Sequence, residues 1–178
     1  MLDCYMAFDV EYATRLAERL RPYGLRWLEE CLIPEDISGH IELKKRLPWM
    51  ALASGEHFYT PYPYQMMIEN RALDIIQPDI QWVGGMTACV KIANMAAAAG
   101  LEVCLHGGGR DAYGQHFSWA MPNTPWCEYY IGSDPGVPLE EVTQPGSLIP
   151  RDSYFEFTPT GPGFDLGIEE EWLLPFKT

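Results

Sequence analysis

The stretch DIIQPDIQWVGGMTACVKIANMAAAAGLEVCLH, residues 74–106, decides the fold. Asp74 to Pro78 is a short apolar run that delivers Asp79 just past its end, the pattern of a buried strand. Gly84 and Gly85 break the chain, a helix is predicted from Thr87 to Ala99, and Gly100 closes it. Leu101 to Leu105 is a second apolar run, delivering His106 before the loop Gly107-Gly108-Gly109. Strand, helix and strand in this order form a crossover unit with parallel strands.

Outward from this unit the same pattern repeats. Toward the N-terminus, Asp9 with Val10, Ala13, Leu16, Ala17 and Leu20 reads as an N-cap followed by one apolar helical face, and Gly24 stands at the closing position. Leu25 to Leu28 predicts a strand ending in Glu29, Pro34 to Arg46 a helix stopped by Pro48, and Trp49 to Ala53 a strand delivering Glu56. A helix follows from Tyr62 to Asn70, with Pro61 or Pro63 at its start. Toward the C-terminus a helix is predicted near Asp111 to Ala120 and a strand near Trp126 to Tyr130. Asp3, Glu29, Glu56, Asp79, His106 and Glu128 thus recur at intervals of 26, 27, 23, 27 and 22 residues, the length of one strand, one helix and two short loops.

The expected fold class is α/β: a partial TIM-type barrel of about six of eight strands, all presenting a polar residue at one end. In such barrels that end carries the active site. Residues 1–131 are expected to form the barrel portion. Residues 132–178 form a tail rich in proline and glycine, without helices and with a strand near Tyr154 to Phe157.

Composition narrows the function classes. The 178 residues are 47% hydrophobic and 21% charged, a globular balance. A net charge of −13, with 12 scattered basic residues, argues against nucleic acid. No apolar run approaches the roughly 20 residues of a membrane span, and the start has no signal-peptide pattern, so a cytoplasmic location is expected. Cys4, Cys31, Cys89, Cys104 and Cys127 are odd in number and lack CxxC spacing, which reads as reduced thiols and not as a zinc site.

The six strand-end residues suggest chemistry. Asp3, Glu29 and Glu56 on neighbouring strand ends repel one another unless a cation lies between them, and all-oxygen donors favour Mg²⁺. Asp79 beside His106 would fix the imidazole tautomer and leave the other nitrogen as a general base. Glu128 is placed to hydrogen-bond a substrate carboxylate, and His57 follows Glu56 within reach of substrate. His40 and His116 fall in helices and read as structural. The glycine pairs lack phosphate-loop spacing and the serines lack GxSxG context. A metal-held carboxylate beside a histidine base suits proton abstraction α to that carboxylate, followed by loss of a neighbouring hydroxyl as water.

The segments LDCYMAFDVEYA (2–13), WLEEC (27–31), SGEH (54–57), DIIQPDIQWVGG (74–85) and LHG (105–107) resemble the barrel domain of the enolase superfamily, in its mandelate racemase/muconate lactonizing enzyme-like subgroup. The wording around them is most similar to that of L-rhamnonate dehydratases, and PGFDLGIEEEWL (162–173) is similar more loosely. The resemblance implies Asp3, Glu29 and Glu56 as Mg²⁺ ligands, Asp79 and His106 as the catalytic dyad, Glu128 as a third catalytic residue and His57 as a substrate contact. It implies a hydro-lyase acting on a small sugar acid, with homo-oligomeric assembly of the complete enzyme and no membrane or nucleic-acid partner. It also implies a preceding α+β capping domain and two further barrel strands, which this sequence lacks. Racemisation or epimerisation on the same fold, or a fragment active only with the missing N-terminal part, are the alternative expectations.

Overall fold

The computed structural model describes residues 1–143, 146–158 and 161–169. Five short strands, β1 (Leu2–Asp3), β2 (Leu28–Glu29), β3 (Leu52–Ser54), β4 (Ile75–Ile76) and β5 (Glu102–Val103), form one sheet. They pair in chain order, every pair parallel. The helices between them are α1 (Val10–Leu20), α2 (Ile37–Arg46), α3 (Pro61–Glu69) and α4 (Gly85–Ala98), and α5 (Ala112–Ala120) follows β5. The alternation and the parallel sheet are those of a partial TIM-type barrel, as expected from the repeating unit.

Local chemistry sets the helix starts. Asp9 accepts the Tyr12 amide at 2.7 Å, Asp36 the Gly39 amide at 2.8 Å and Asp111 the Gly114 amide at 2.7 Å. Each satisfies a backbone donor with no partner inside its helix. Asp36 therefore starts α2 at Ile37, three residues later than the sequence suggested, and Lys44, Lys45 and Arg46 place positive charge at its last turn. Alternation along the strands divides the core. Leu28, Leu52, Ile76 and Val103 face the helices in the main cluster, while Trp27, Ala53, Ile75 and Cys104 form a second cluster on the other, concave face.

A sixth strand near Trp126 to Tyr130 does not form among the described residues. The Val103 amide donates to the Asn123 carbonyl at 2.8 Å, which begins a parallel ladder beside β5. The reciprocal bond would need an N–H on residue 125, and Pro125 has none. Residues 125–131 form no regular strand, and the Glu128 carbonyl accepts the Gly109 amide at 2.6 Å instead. Among the described residues the tail holds one four-residue helix, α6 (Leu139–Val142), and a single antiparallel bridge between Arg151 and Tyr154 where a strand was expected. It packs on α5: the Gln115 side chain accepts the Leu148 amide at 2.7 Å and donates to the Leu148 carbonyl at 2.8 Å, and Phe157 stacks on Trp119. Residues 170–173 of the tail motif lie outside the described residues. All five cysteines are free, four of them buried. No helix among the described residues is long and apolar enough to cross a membrane.

Candidate active site

The C-terminal ends of the strands gather the candidate residues at one rim. Asp3 ends β1 in register with Glu29 at the end of β2, and Glu29 is in register with Ala53, so both carboxylates stand on the concave face. Asp3 Oδ1 accepts the Tyr5 amide at 2.8 Å, and Glu29 Oε2 accepts the Trp27 indole N–H at 2.8 Å.

The loop after β3 depends on Gly55. Its φ of +146° suits glycine, and a Cβ there would meet the Gln77 backbone and the Tyr64 ring at 3.0 Å. The loop can therefore press against β4, and it carries Glu56 and His57. Tyr64, fully buried on α3, donates its hydroxyl to the carbonyls of Gly55 at 2.6 Å and Phe58 at 3.0 Å, pinning both ends of the turn.

Asp79 is held rigidly. Its Oδ1 accepts the amides of Gln81 at 2.7 Å and Trp82 at 3.1 Å, and its Oδ2 lies 2.8 Å from Nδ1 of His106. The other ring nitrogen, Nε2, lies 2.8 Å from Glu56 Oε2. Glu128 reaches the same loop from the extended segment after α5, where its Oε2 accepts the Gly107 amide at 2.9 Å. Of the anticipated residues, Glu56 and Asp79 thus each touch His106, and Glu128 braces the loop that His106 begins.

Two residues escaped the sequence reading. Glu30 is 3% exposed, and its carboxylate contacts His57 Nδ1 at 2.9 and 3.2 Å. His57 Nδ1 is also 3.3 Å from Glu56 Oε1, so Glu30, His57, Glu56, His106 and Asp79 form one continuous polar chain. Trp82 lies between the two imidazoles, its ring 5.5 Å from His57 and 5.8 Å from His106. The available signals were the Glu29-Glu30 doublet and an aromatic three residues past Asp79.

The charges follow from these contacts. The Asp79 hydrogen bond and then the Glu56 carboxylate push His106 up to about 10, against the opposing effect of burial. Burial works against the charge of Asp79, but His106 and the Gln81 and Trp82 amides outweigh it and hold the carboxyl below its ordinary value. Burial raises Glu30 to about 7 and pushes Glu128 upward.

Carboxylate oxygens from successive strand ends suit a hard divalent cation. Among the described residues, Glu30, Glu56 and His57 form the group whose ligand atoms all lie within 4.8 Å of one another. Asp3 and Glu29 stand beside that group with their oxygens turned to Tyr5 and Trp27.

Comparison with known proteins agrees with the fold. The enolase C-terminal domain-like family matches residues 1–172. The L-rhamnonate dehydratase of Saccharopolyspora erythraea is 46% identical over 175 residues, covering 96% of this chain and 44% of the relative. The crystal structure of L-rhamnonate dehydratase from Gibberella zeae superposes with a TM-score of 0.81 at 35% identity, covering 96% of this chain and 44% of that one. The structure of rhamnonate dehydratase from the same organism complexed with Mg gives a TM-score of 0.68 at 40% identity, covering 72% of this chain and 31% of that one. The chain spans less than half the length of each of these relatives. It belongs to the enolase C-terminal domain-like family.

Proposed function

We propose that this chain carries the catalytic rim of a Mg²⁺-dependent acid-sugar dehydratase of the L-rhamnonate type. The supporting observation is the Asp79–His106 pair set directly against Glu56, a base and a cation ligand at one point of the rim. Similarity to relatives named L-rhamnonate dehydratase supports the substrate class.

In this reading Asp3, Glu29 and Glu56 would hold Mg²⁺. The ion, when bound, would draw negative charge onto the oxygens of the substrate carboxylate and so acidify the α carbon. His106 takes the α proton at Nε2, the ring nitrogen on the side away from Asp79. Asp79 keeps the Nδ1–H tautomer and supports the imidazolium that results. His106 then gives the proton to the 3-hydroxyl, which departs as water, and the enol relaxes to a 2-keto-3-deoxy acid. Glu128, held by the Gly107 amide at the start of the loop after His106, is placed to hydrogen-bond the substrate carboxylate. His57 contacts the sugar chain. Residues 1–131 form the barrel portion and 132–178 the tail, within a cytoplasmic homo-oligomeric enzyme.

The test places this chain in the Saccharopolyspora relative in exchange for the matching segment. The chimera is expected to dehydrate L-rhamnonate. His106→Asn is expected to abolish dehydration while Mg²⁺ binding, read by calorimetry, persists. Turnover retained by His106→Asn would remove His106 as the base.

A further inference from the structure

Glu30 sits at the rim without a place in the chemistry above. Strand alternation puts it on the opposite face from Trp27 and Glu29, yet it ends at the rim, because its backbone takes φ of +44°. Such a conformation is uncommon for a residue with a side chain and persists where surroundings impose it. Here they do. The Met6 amide donates to the Glu30 carbonyl at 2.6 Å, and the Glu30 amide donates to the Ala53 carbonyl at 3.0 Å, so the residue is clamped between the ends of β1 and β3.

The clamp aims the carboxylate at one target. Both Glu30 oxygens approach Nδ1 of His57, at 2.9 and 3.2 Å, and the second carboxylate in reach, Glu56, is farther at 3.3 Å. A ring nitrogen facing an ionised carboxylate carries the proton, which leaves the other nitrogen of a neutral ring a bare acceptor. Nε2 of His57 has no hydrogen-bond partner among the described residues and is not among their buried unpaired atoms. The ring itself is packed edge-on to Tyr5 and tilted against Trp82, and it forms part of the wall of a cavity of about 620 Å³ with Met6, Phe58 and Tyr59.

We propose that Glu30 is a positioning residue that grips Nδ1 of His57 and so presents Nε2 as an acceptor for a hydroxyl group of the acid-sugar chain. This rests on the proposed reading of His57 as a substrate contact. Glu30 meets Nδ1 with both oxygens and closer than Glu56 does, so it is the carboxylate that sets the orientation of the ring. Specificity follows from the polarity of the contact: a bare nitrogen takes a hydroxyl and gains nothing from a methylene.

The test is ¹⁵N NMR of the histidine rings in the full chain, first free and then with Mg²⁺ plus L-rhamnonate or Mg²⁺ plus acetate. Free wild-type protein is expected to show His57 protonated at Nδ1. L-rhamnonate is expected to shift Nε2, and acetate, which has no hydroxyl, is not. Glu30→Ala is expected to lose the tautomer preference and bind L-rhamnonate about tenfold more weakly, the scale of one charge-assisted hydrogen bond. Glu30→Gln keeps an acceptor for Nδ1–H and is expected to retain the tautomer and to bind within about threefold of wild type. His57 signals that are alike in all three proteins overturn the proposal. So does free wild-type protein with the His57 proton on Nε2, a result readable even where Glu30→Ala fails to fold. The tautomer is read without substrate or turnover. A chain with the expected His57 signals and a hydroxyl-dependent shift but no dehydration would therefore fail as a dehydratase and leave the role of Glu30 standing.

Discussion

Replacing Asp79 with asparagine should reverse the tautomer of His106. Asp79 Oδ1 already accepts two backbone amides, from Gln81 at 2.7 Å and Trp82 at 3.1 Å. An asparagine must keep its oxygen there, since a side-chain NH₂ would leave both amides facing a donor. Its NH₂ then occupies the place of Oδ2, 2.8 Å from His106 Nδ1. That nitrogen becomes the acceptor, and the proton of the neutral ring moves to Nε2, beside Glu56. The charge-assisted bond that is lost is worth about 1.5–3 kcal/mol, or roughly one to two pKa units at about 1.4 kcal/mol each. His106, held near 10 by Asp79 and Glu56, should therefore titrate about one to two units lower in Asp79→Asn. The assay is ¹⁵N and ¹³C NMR of the histidine rings across pH in EDTA. In a turning-over enzyme the same change should cost on the order of 10³–10⁴ in kcat, as the wrong tautomer does in serine proteases. Wild-type His106 titrating near 6.5, or an Asp79→Asn ring with its proton still on Nδ1, would refute this account of the dyad.

Two further outcomes concern stability. His40 donates from Nδ1 to the Asp36 carbonyl at 2.8 Å and leaves Nε2 buried without a partner, so burial lowers its pKa despite the opposing pull of Asp36. Its contribution is intact above the ordinary value of 6.5 and declines as pH falls below it, because the unfolded chain then takes a proton that the fold resists. The melting temperature of wild type should fall more steeply than that of His40→Gln between pH 6.5 and the acid limit of folding, and parallel curves would contradict this. Tyr64→Phe removes the hydroxyl that joins Gly55 and Phe58, and should cost about 1–2 kcal/mol in urea unfolding, with disturbed His57 signals. Unchanged stability would mean that the loop after β3 is held by other contacts.

The sequence was most legible where one physical rule acted alone. Apolar runs ending in a polar residue located five strands that end within three residues of Asp3, Glu29, Glu56, Asp79 and His106, and the Asp9 cap located the start of α1. Reading failed where backbone and partner act together. Trp126 to Tyr130 has strand composition, but Pro125 withholds the bond that would extend the ladder from β5. Period-two alternation sends Glu30 away from the concave face, and only a left-handed backbone, clamped by Met6 and Ala53, returns it to the rim. The docking of the tail on α5 through Gln115 and Leu148 joins residues 33 apart that no periodicity connects.

The proposed role of this rim is tested most directly by ¹H NMR of the Saccharopolyspora chimera, incubated in D₂O with Mg²⁺ and L-rhamnonate. Proton abstraction followed by loss of the 3-hydroxyl predicts a 2-keto-3-deoxy acid with deuterium at C3, absent from the His106→Asn chimera. A folded, Mg²⁺-binding chimera that exchanges the α proton without forming keto acid, or leaves the sugar acid untouched, would contradict it.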